Sequence, residues 1–258
     1  MGLYRINTRI LMRKLFFSMC CVSFFNLHAQ RIIVNGWKYS ATASPTLPAT
    51  NLWAYYEADD ASSITQSSNN VSQWNDKSGN GRNWLQSNAT LKPVWNGTNA
   101  ITFQGSSGQA MYQSASLSQP YTIYIVAAVN IIANSDGAIM FYDNGATNSF
   151  MDVERASSTN TFKIYANTGT LSLASLHPVN STYYLFKGSW NGSSSSLSVN
   201  TSSVIGSVGT ATASSPIGIG YIGTNTSSLS IKGIYIYQGG TPNDAAVRAY
   251  TTNKWGIP

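Results

Sequence analysis

Apolar and polar residues alternate along this chain in short bursts, and Ser, Asn, Gly and Pro separate the bursts. Successive side chains of an extended chain point to opposite faces, so period-two alternation marks a half-buried strand. The pattern predicts strands over 52–56, 100–104, 121–129, 138–143, 150–156, 162–166, 182–187, 197–200 and 228–237. Many short strands at near-regular spacing predict a sandwich or a barrel. Asn191-Gly192 follows Trp190 between two such runs, and Asn-Gly is the strongest short signal for a hairpin. One helix is predicted, and it comes last. Thr241 is placed as its N-cap, Pro242 at its first position, and Asp244 against the positive end of its dipole. Val247, Tyr250 and Lys254 or Trp255 then share one side, and Gly256 ends the helix. Such a helix suits an amphipathic cover on a sheet.

The opening segment stands apart from this pattern. Arg5, Arg9, Arg13 and Lys14 precede an apolar run over 15–25, and Leu27-His28-Ala29 places a small residue at a cleavage point. That is the layout of a secretory signal peptide, so 1–29 is expected to be removed, leaving a chain that begins near Gln30. The run is too short to cross a bilayer core of about 30 Å as a helix. The expected destination is outside the cell, with periplasm or cell surface as the other options, and without membrane insertion after cleavage. Residues 30–50 combine the apolar Ile32-Ile33-Val34 with a Ser- and Pro-containing stretch, and read as a leader strand and linker. The domain proper is expected over 51–258.

Composition narrows the function. Charged residues are 9% of the chain, against about 25% in an average globular protein, while aromatics reach 12%. The formal charge of +6 misleads, because four of the fifteen basic residues lie in the signal, leaving eleven against nine acids. No Lys/Arg cluster remains, so no nucleic-acid partner is expected. Cys20 and Cys21 both lie in the signal, which excludes disulfides, cysteine metal sites and cysteine nucleophiles from the mature chain.

Candidate chemistry is sparse. Gly218-Ile219-Gly220-Tyr221-Ile222-Gly223 spells G-x-G-x-x-G, but no helix pattern follows to receive a pyrophosphate; the glycines are expected to let a strand bend or pack closely. His177, the one histidine beyond the signal, reads as a surface residue. Asp76-Lys77-Ser78-Gly79-Asn80-Gly81 resembles half a calcium loop, yet the closing acid would fall at Ser87. It is read as a tight turn organised by Asp76 and Asn80. These two are the residues a metal would use, and calcium is the one cofactor left open where none is expected.

Asp152-Val153-Glu154 is the most informative pair. On a strand both acids share a face while Met151 and Val153 enter the core. A return through 156–160 would set Lys163 opposite Glu154 and Tyr165 opposite Asp152, making a cross-strand ion pair within a polar cluster. Trp53, Trp74 and Trp255 sit in apolar contexts and are expected in the core. Trp84, Trp95 and Trp190 adjoin turns, where an amphipathic ring suits a wet surface.

Several stretches together resemble the concanavalin A-like lectin/glucanase superfamily in its laminin G-like bacterial branch. They are Leu52-Trp53 with 57–64, Val71-Ser72-Gln73-Trp74 running into Asp76–Gly81, Ile101-Thr102-Phe103-Gln104-Gly105, the 184–200 hairpin, and 231–237 with the closing Asn253-Lys254-Trp255-Gly256-Ile257. The resemblance covers about 50–258. It implies an all-β, two-sheet antiparallel jelly-roll sandwich with one short C-terminal helix and a face used for carbohydrate. Many relatives carry an acidic pair where this chain has Lys232-Gly233, and the glucanase branch uses three acids on one strand where this chain has two.

The function expected is a secreted, lectin-like module binding an extracellular glycan. Its ligand-facing residues would be Asp152, Glu154, Lys163 and Tyr165, with Trp84 and Trp190 reaching in from loops. An enzyme that degrades polysaccharide, a glycoside hydrolase or lyase using Asp152 and Glu154, is the alternative, and a structural or adhesion module without a small ligand is the second alternative.

Overall fold

A computed structural model describes residues 32–34, 37–39, 43–131, 133, 135–143, 149–167, 169–220 and 227–258. The signal-peptide reading of 1–29 therefore lies outside the described residues. The chain forms two compact units, 1–44 and 45–258. Within the first, β1 (Ile32–Val34) pairs antiparallel with β2 (Trp37–Tyr39), two short strands where the sequence predicts one.

The second unit is all-β, antiparallel and two-layered, with one closing helix. Its strands are β3 (Leu52–Glu57), β4 (Ile64–Ser67), β5 (Asn70–Trp74), β6 (Trp84–Leu85), β7 (Val94–Trp95), β8 (Ile101–Gln104), β9 (Ala110–Gln113), β10 (Tyr121–Asn130) and β11 (Gly137–Asp143). Then come β12 (Ser149–Ala156), β13 (Thr159–Ala166), β14 (Gly169–Leu173), β15 (Tyr183–Trp190), β16 (Ser195–Val199), β17 (Ser202–Gly206), β18 (Ile217–Gly220), β19 (Ser228–Gln238) and α1 (Asp244–Trp255). The nine strands predicted from alternation are all present.

The first sheet runs β17-β16-β15-β10-β19, and β19 then pairs with β3 along one half and β8 along the other. The second runs β14-β13-β12-β11-β18-β9-β6-β5-β4. β7 bridges β5 and β8, closing one edge of the sandwich.

β10 shows why the layers stack as they do, because it is apolar on both faces. Tyr121, Ile123, Ile125, Ala127 and Val129 enter the core between the sheets, where they meet Met151, Val153, Phe162 and Ile164 of the second sheet. Tyr124 and Val126 face the other way, into a smaller cluster with Tyr235, Tyr237 and Val247 beneath α1. The predicted helix is present, but Asn243 caps it in place of Thr241, its side-chain oxygen accepting from the Ala246 amide at 3.2 Å. Pro242 thus precedes the cap. Gly256 ends the helix at φ 69°.

A buried carboxylate pins the end of this helix. Glu57 is 2% exposed. It meets Lys77 Nζ at 2.7 Å and Lys254 Nζ at 3.3 Å, and accepts from the Tyr250 and Tyr235 hydroxyls at 2.5 and 3.3 Å. Two cations and two hydroxyls offset the desolvation that a lone buried carboxylate would suffer.

Candidate functional site

The hairpin β12–β13 brings the predicted polar residues together. Its turn is Ser157-Ser158, both left-handed at φ 48° and 67°, a two-residue connection whose twist matches the strands it joins. Asp152 therefore lies opposite Lys163, Phe150 opposite Tyr165 and Glu154 opposite Thr161. This corrects the predicted pairing by two residues. Parity is unaffected, so Met151, Val153, Phe162 and Ile164 enter the core and Asp152, Glu154, Lys163 and Tyr165 share the outer face. Lys163 reaches diagonally to an ion pair with Glu154.

The two carboxylates differ in environment. Asp152 Oδ1 is sealed from solvent and accepts no hydrogen bond. Burial pushes its carboxyl up to about 7; the nearby Glu154 adds to the shift and the Lys163 ammonium opposes it. The Tyr165 phenol is raised to about 12, by burial first and by the Asp152 charge second. One face thus holds a carboxyl poised near neutrality, an ion pair and a phenol.

An aromatic band that sequence reasoning missed runs beside these groups. Tyr112 of β9 meets Tyr142 of β11 edge to face at 6.2 Å; Tyr142 stacks on Phe150 of β12 at 6.5 Å; Phe150 meets Tyr165 of β13 edge to face at 6.3 Å. β18 lies between β9 and β11, and its Gly218 makes the first contact feasible. A Cβ there would stand 2.4 Å from the Tyr142 ring, so only glycine lets that ring cross the strand to Tyr112. The first half of the glycine-rich run, 218–220, is strand with a ring lying on it, as close packing predicts; 221–223 lie outside the described residues. An outward glycine in a strand was the available signal that a ring covers it. Tyr112, Phe150 and Tyr165 are half-buried, leaving part of each ring to solvent.

Trp84 and Trp190 do not join this face, which corrects their assignment as ligand-facing residues. Both are fully buried. Trp84 packs against Tyr56 at 5.8 Å. Trp190 stacks on Tyr121 at 4.7 Å and donates its Nε1 hydrogen to the Tyr165 carbonyl at 2.8 Å. It folds back over Gly188, where a Cβ would come within 2.7 Å of its ring. Next to a turn in sequence, it is inside the sandwich in space. Trp53 and Trp74 are buried as expected, while Trp255, the last residue of α1, is only half-buried, packed against the smaller cluster beneath that helix.

Asp76 and Asn80 organise a turn. Asp76 Oδ1 accepts from the Tyr55 and Ser78 amides at 3.2 and 2.9 Å, and Oδ2 accepts from the Arg82 amide at 3.2 Å and the Ser78 hydroxyl at 2.8 Å. Asn80 Nδ2 donates to the Trp53 carbonyl at 3.0 Å. A carboxylate so fully engaged is a poor fit to a calcium ligand. Among the described residues, no three His, Cys, Asp or Glu side chains gather where an ion could be held. His177 is exposed, its Nδ1 3.0 Å from the Asn160 carbonyl. No described helix is long and apolar enough to cross a membrane.

No protein-family model and no curated protein matches the chain. Solved structures do. A Trypanosoma rangeli sialidase in complex with sialic acid superposes with a TM-score of 0.50 at 13% identity, over 89% of this chain and 36% of that one. The binding domain of botulinum neurotoxin DC in complex with SialylT gives 0.50 at 10% identity, over 80% of this chain and 52% of that one. The chain spans between a third and about half of these proteins, and at such identities the likeness is one of fold.

Proposed function

We propose that the protein is a lectin-like module of the concanavalin A-like type, secreted, that binds an extracellular glycan on the outer face of its second sheet. The observation that carries this reading is the band Tyr112, Tyr142, Phe150 and Tyr165 lying beside Asp152, Glu154 and Lys163. The partly exposed rings of Tyr112, Phe150 and Tyr165, packed about the buried Tyr142, offer flat apolar surface to the faces of sugar rings, and adjacent charged groups offer hydrogen bonds to hydroxyls. The sugar complexes of the sialidase and of the neurotoxin binding domain support a glycan as the ligand class.

A second reading has its own support. Paired carboxyls in unlike environments are the pattern of an acid and its partner in glycoside cleavage. Asp152, raised toward 7, would be the proton donor, and Glu154, in an ion pair with Lys163, its partner.

A glycan array read with and without calcium, followed by product analysis on every hit, separates the two. For the binding module, Tyr165→Ala lowers affinity by about 1–3 kcal/mol while leaving the fold intact, and no sugar is released. Unchanged affinity in this variant places the ligand elsewhere. Sugar release that disappears in Glu154→Gln makes the protein an enzyme.

A further inference from the structure

A cleft in the second unit shares no lining residue with the aromatic band. It measures about 410 Å³ and is lined by Asn51, Trp53, Asn80, Arg82 and Gln238, among others. Arg82 is its distinctive member. Lys77, Lys163, Lys187, Arg248 and Lys254 each pair with a carboxylate. Among the described residues Arg82 pairs with none, although it lines a cavity. Asp76, the acid nearest in sequence, spends both oxygens on amides and a hydroxyl, the Arg82 amide among them.

The guanidinium is nonetheless held in place. Its carbon sits 4.3 Å from the centre of the Trp53 ring, and Nη1 donates to the Trp53 carbonyl at 2.6 Å. The backbone carbonyl of Arg82 accepts from the Tyr56 hydroxyl and the Gln113 amide, which anchors the residue from the core side. Among the described residues Nε and Nη2 donate to no protein acceptor, which leaves two nitrogens of the guanidinium for a ligand. An ordered guanidinium edge is a fork for a planar carboxylate, and its ordering cost is already met by the fold. Asn51, Asn80 and Gln238 add amides, which both donate to and accept from hydroxyls.

We infer that this cleft is a second binding site, one that takes the carboxylate of an acidic sugar on Arg82 and its hydroxyls on the amides of Asn51, Asn80 and Gln238. The aromatic face cannot serve that ligand well, because Asp152 and Glu154 stand there against the single ammonium of Lys163. The inference does not rest on that face binding anything.

Isothermal titration with a galacturonate trisaccharide and with its methyl ester tests it, since esterification removes the charge and keeps the rings. The acid is expected to bind at least about tenfold tighter than the ester, with the advantage shrinking as salt is raised. Arg82→Met abolishes that advantage, Arg82→Lys restores part of it, and Tyr165→Ala leaves it unchanged. Melting curves by circular dichroism check that each variant folds. If Arg82→Met does not fold, Gln238→Leu decides, and it should weaken the acid and the ester alike. Equal affinity for acid and ester overturns the inference, as does binding of neither. So does wild-type binding by folded Arg82→Met or by Gln238→Leu. Loss of galacturonate binding in Tyr165→Ala overturns it too, by moving the acidic sugar to the aromatic face. Loss of neutral-glycan binding in that variant bears on the aromatic face alone.

Discussion

Replacing Asp152 by Asn should stabilise the protein, and the gain should depend on pH. In the folded chain the Asp152 carboxyl ionises at about 7, against an ordinary value of 3.8, because burial disfavours its charge. Below pH 4 both folded and unfolded chains carry it protonated, and it adds no penalty. As pH rises the unfolded chain releases the proton first, so stability falls progressively until the folded carboxyl has also ionised, and is level above about 7. The gap corresponds to roughly 4 kcal/mol at its upper limit. Relaxation around the charge and partial access of water to the rest of the residue reduce the expected value to about 2–3 kcal/mol. Asn keeps the shape and removes the charge, and the Lys163–Glu154 ion pair survives it. For a domain of this size that amounts to a rise in Tm of roughly 5–10 °C at pH 8, shrinking toward zero at pH 4. Thermal melts of wild type and variant at pH 4, 6 and 8 measure it. A difference that does not change with pH, or a variant less stable at pH 8, would refute the reasoning.

Three further outcomes are expected. Asp76→Ala leaves the amides of Tyr55, Ser78 and Arg82 without their acceptor and should cost about 2–4 kcal/mol, by the same amount with and without calcium; calcium stabilisation that vanishes in the variant would contradict the turn role. Gly218→Ala drives a methyl into the Tyr142 ring and should cost about 1–3 kcal/mol, while also weakening any glycan held by the aromatic band. Burial alone would raise the Asp244 carboxyl, but hydrogen bonds from Arg248, Tyr124 and Lys187 hold it at about 2. Its stabilisation is present above pH 4 and lost as pH falls toward 2. Since Asp244 is 37% exposed, Asp244→Asn should cost only about 1 kcal/mol at pH 6, and clearly less near pH 2, where the folded carboxyl is half protonated, as chemical denaturation at both pH values would show.

The sequence made the longer strands legible because a strand with one or two buried faces needs its apolar residues in a fixed order. β10 and β19 are the clearest cases, β10 reading as a near-continuous apolar run and β19 as alternation over 228–232 that becomes continuous over 234–237. β6 and β7 were invisible, being two residues each, and β17 and β18 are largely Ser and Gly. Neighbours on both sides hold β6 and β18 in their ladders, and no periodicity records that. The site was legible in its parity and not in its register. Alternation set Asp152 and Lys163 on one face whichever turn joined their strands, but Ser157-Ser158 lacks the Asn-Gly signature of a two-residue turn. Three rings of the aromatic band lie directly opposite one another on the consecutive strands β11, β12 and β13. Tyr112 of β9 joins them only across β18, so the whole band exists only once the second sheet has assembled. Trp190 misled for the opposite reason: its sequence neighbour is a turn, while its ring neighbour is Tyr121.

Ile257 packs into the cluster under α1, on the layer opposite the aromatic band. A tether fixed at Pro258 consequently leaves the molecule on the far side from that band. Copies coupled to a bead or sensor through this point would all hold the band toward the solution. Weak single contacts with a repeating polymer would then add through a raised effective concentration, whereas coupling at random through lysines would hide the band in a share of the copies.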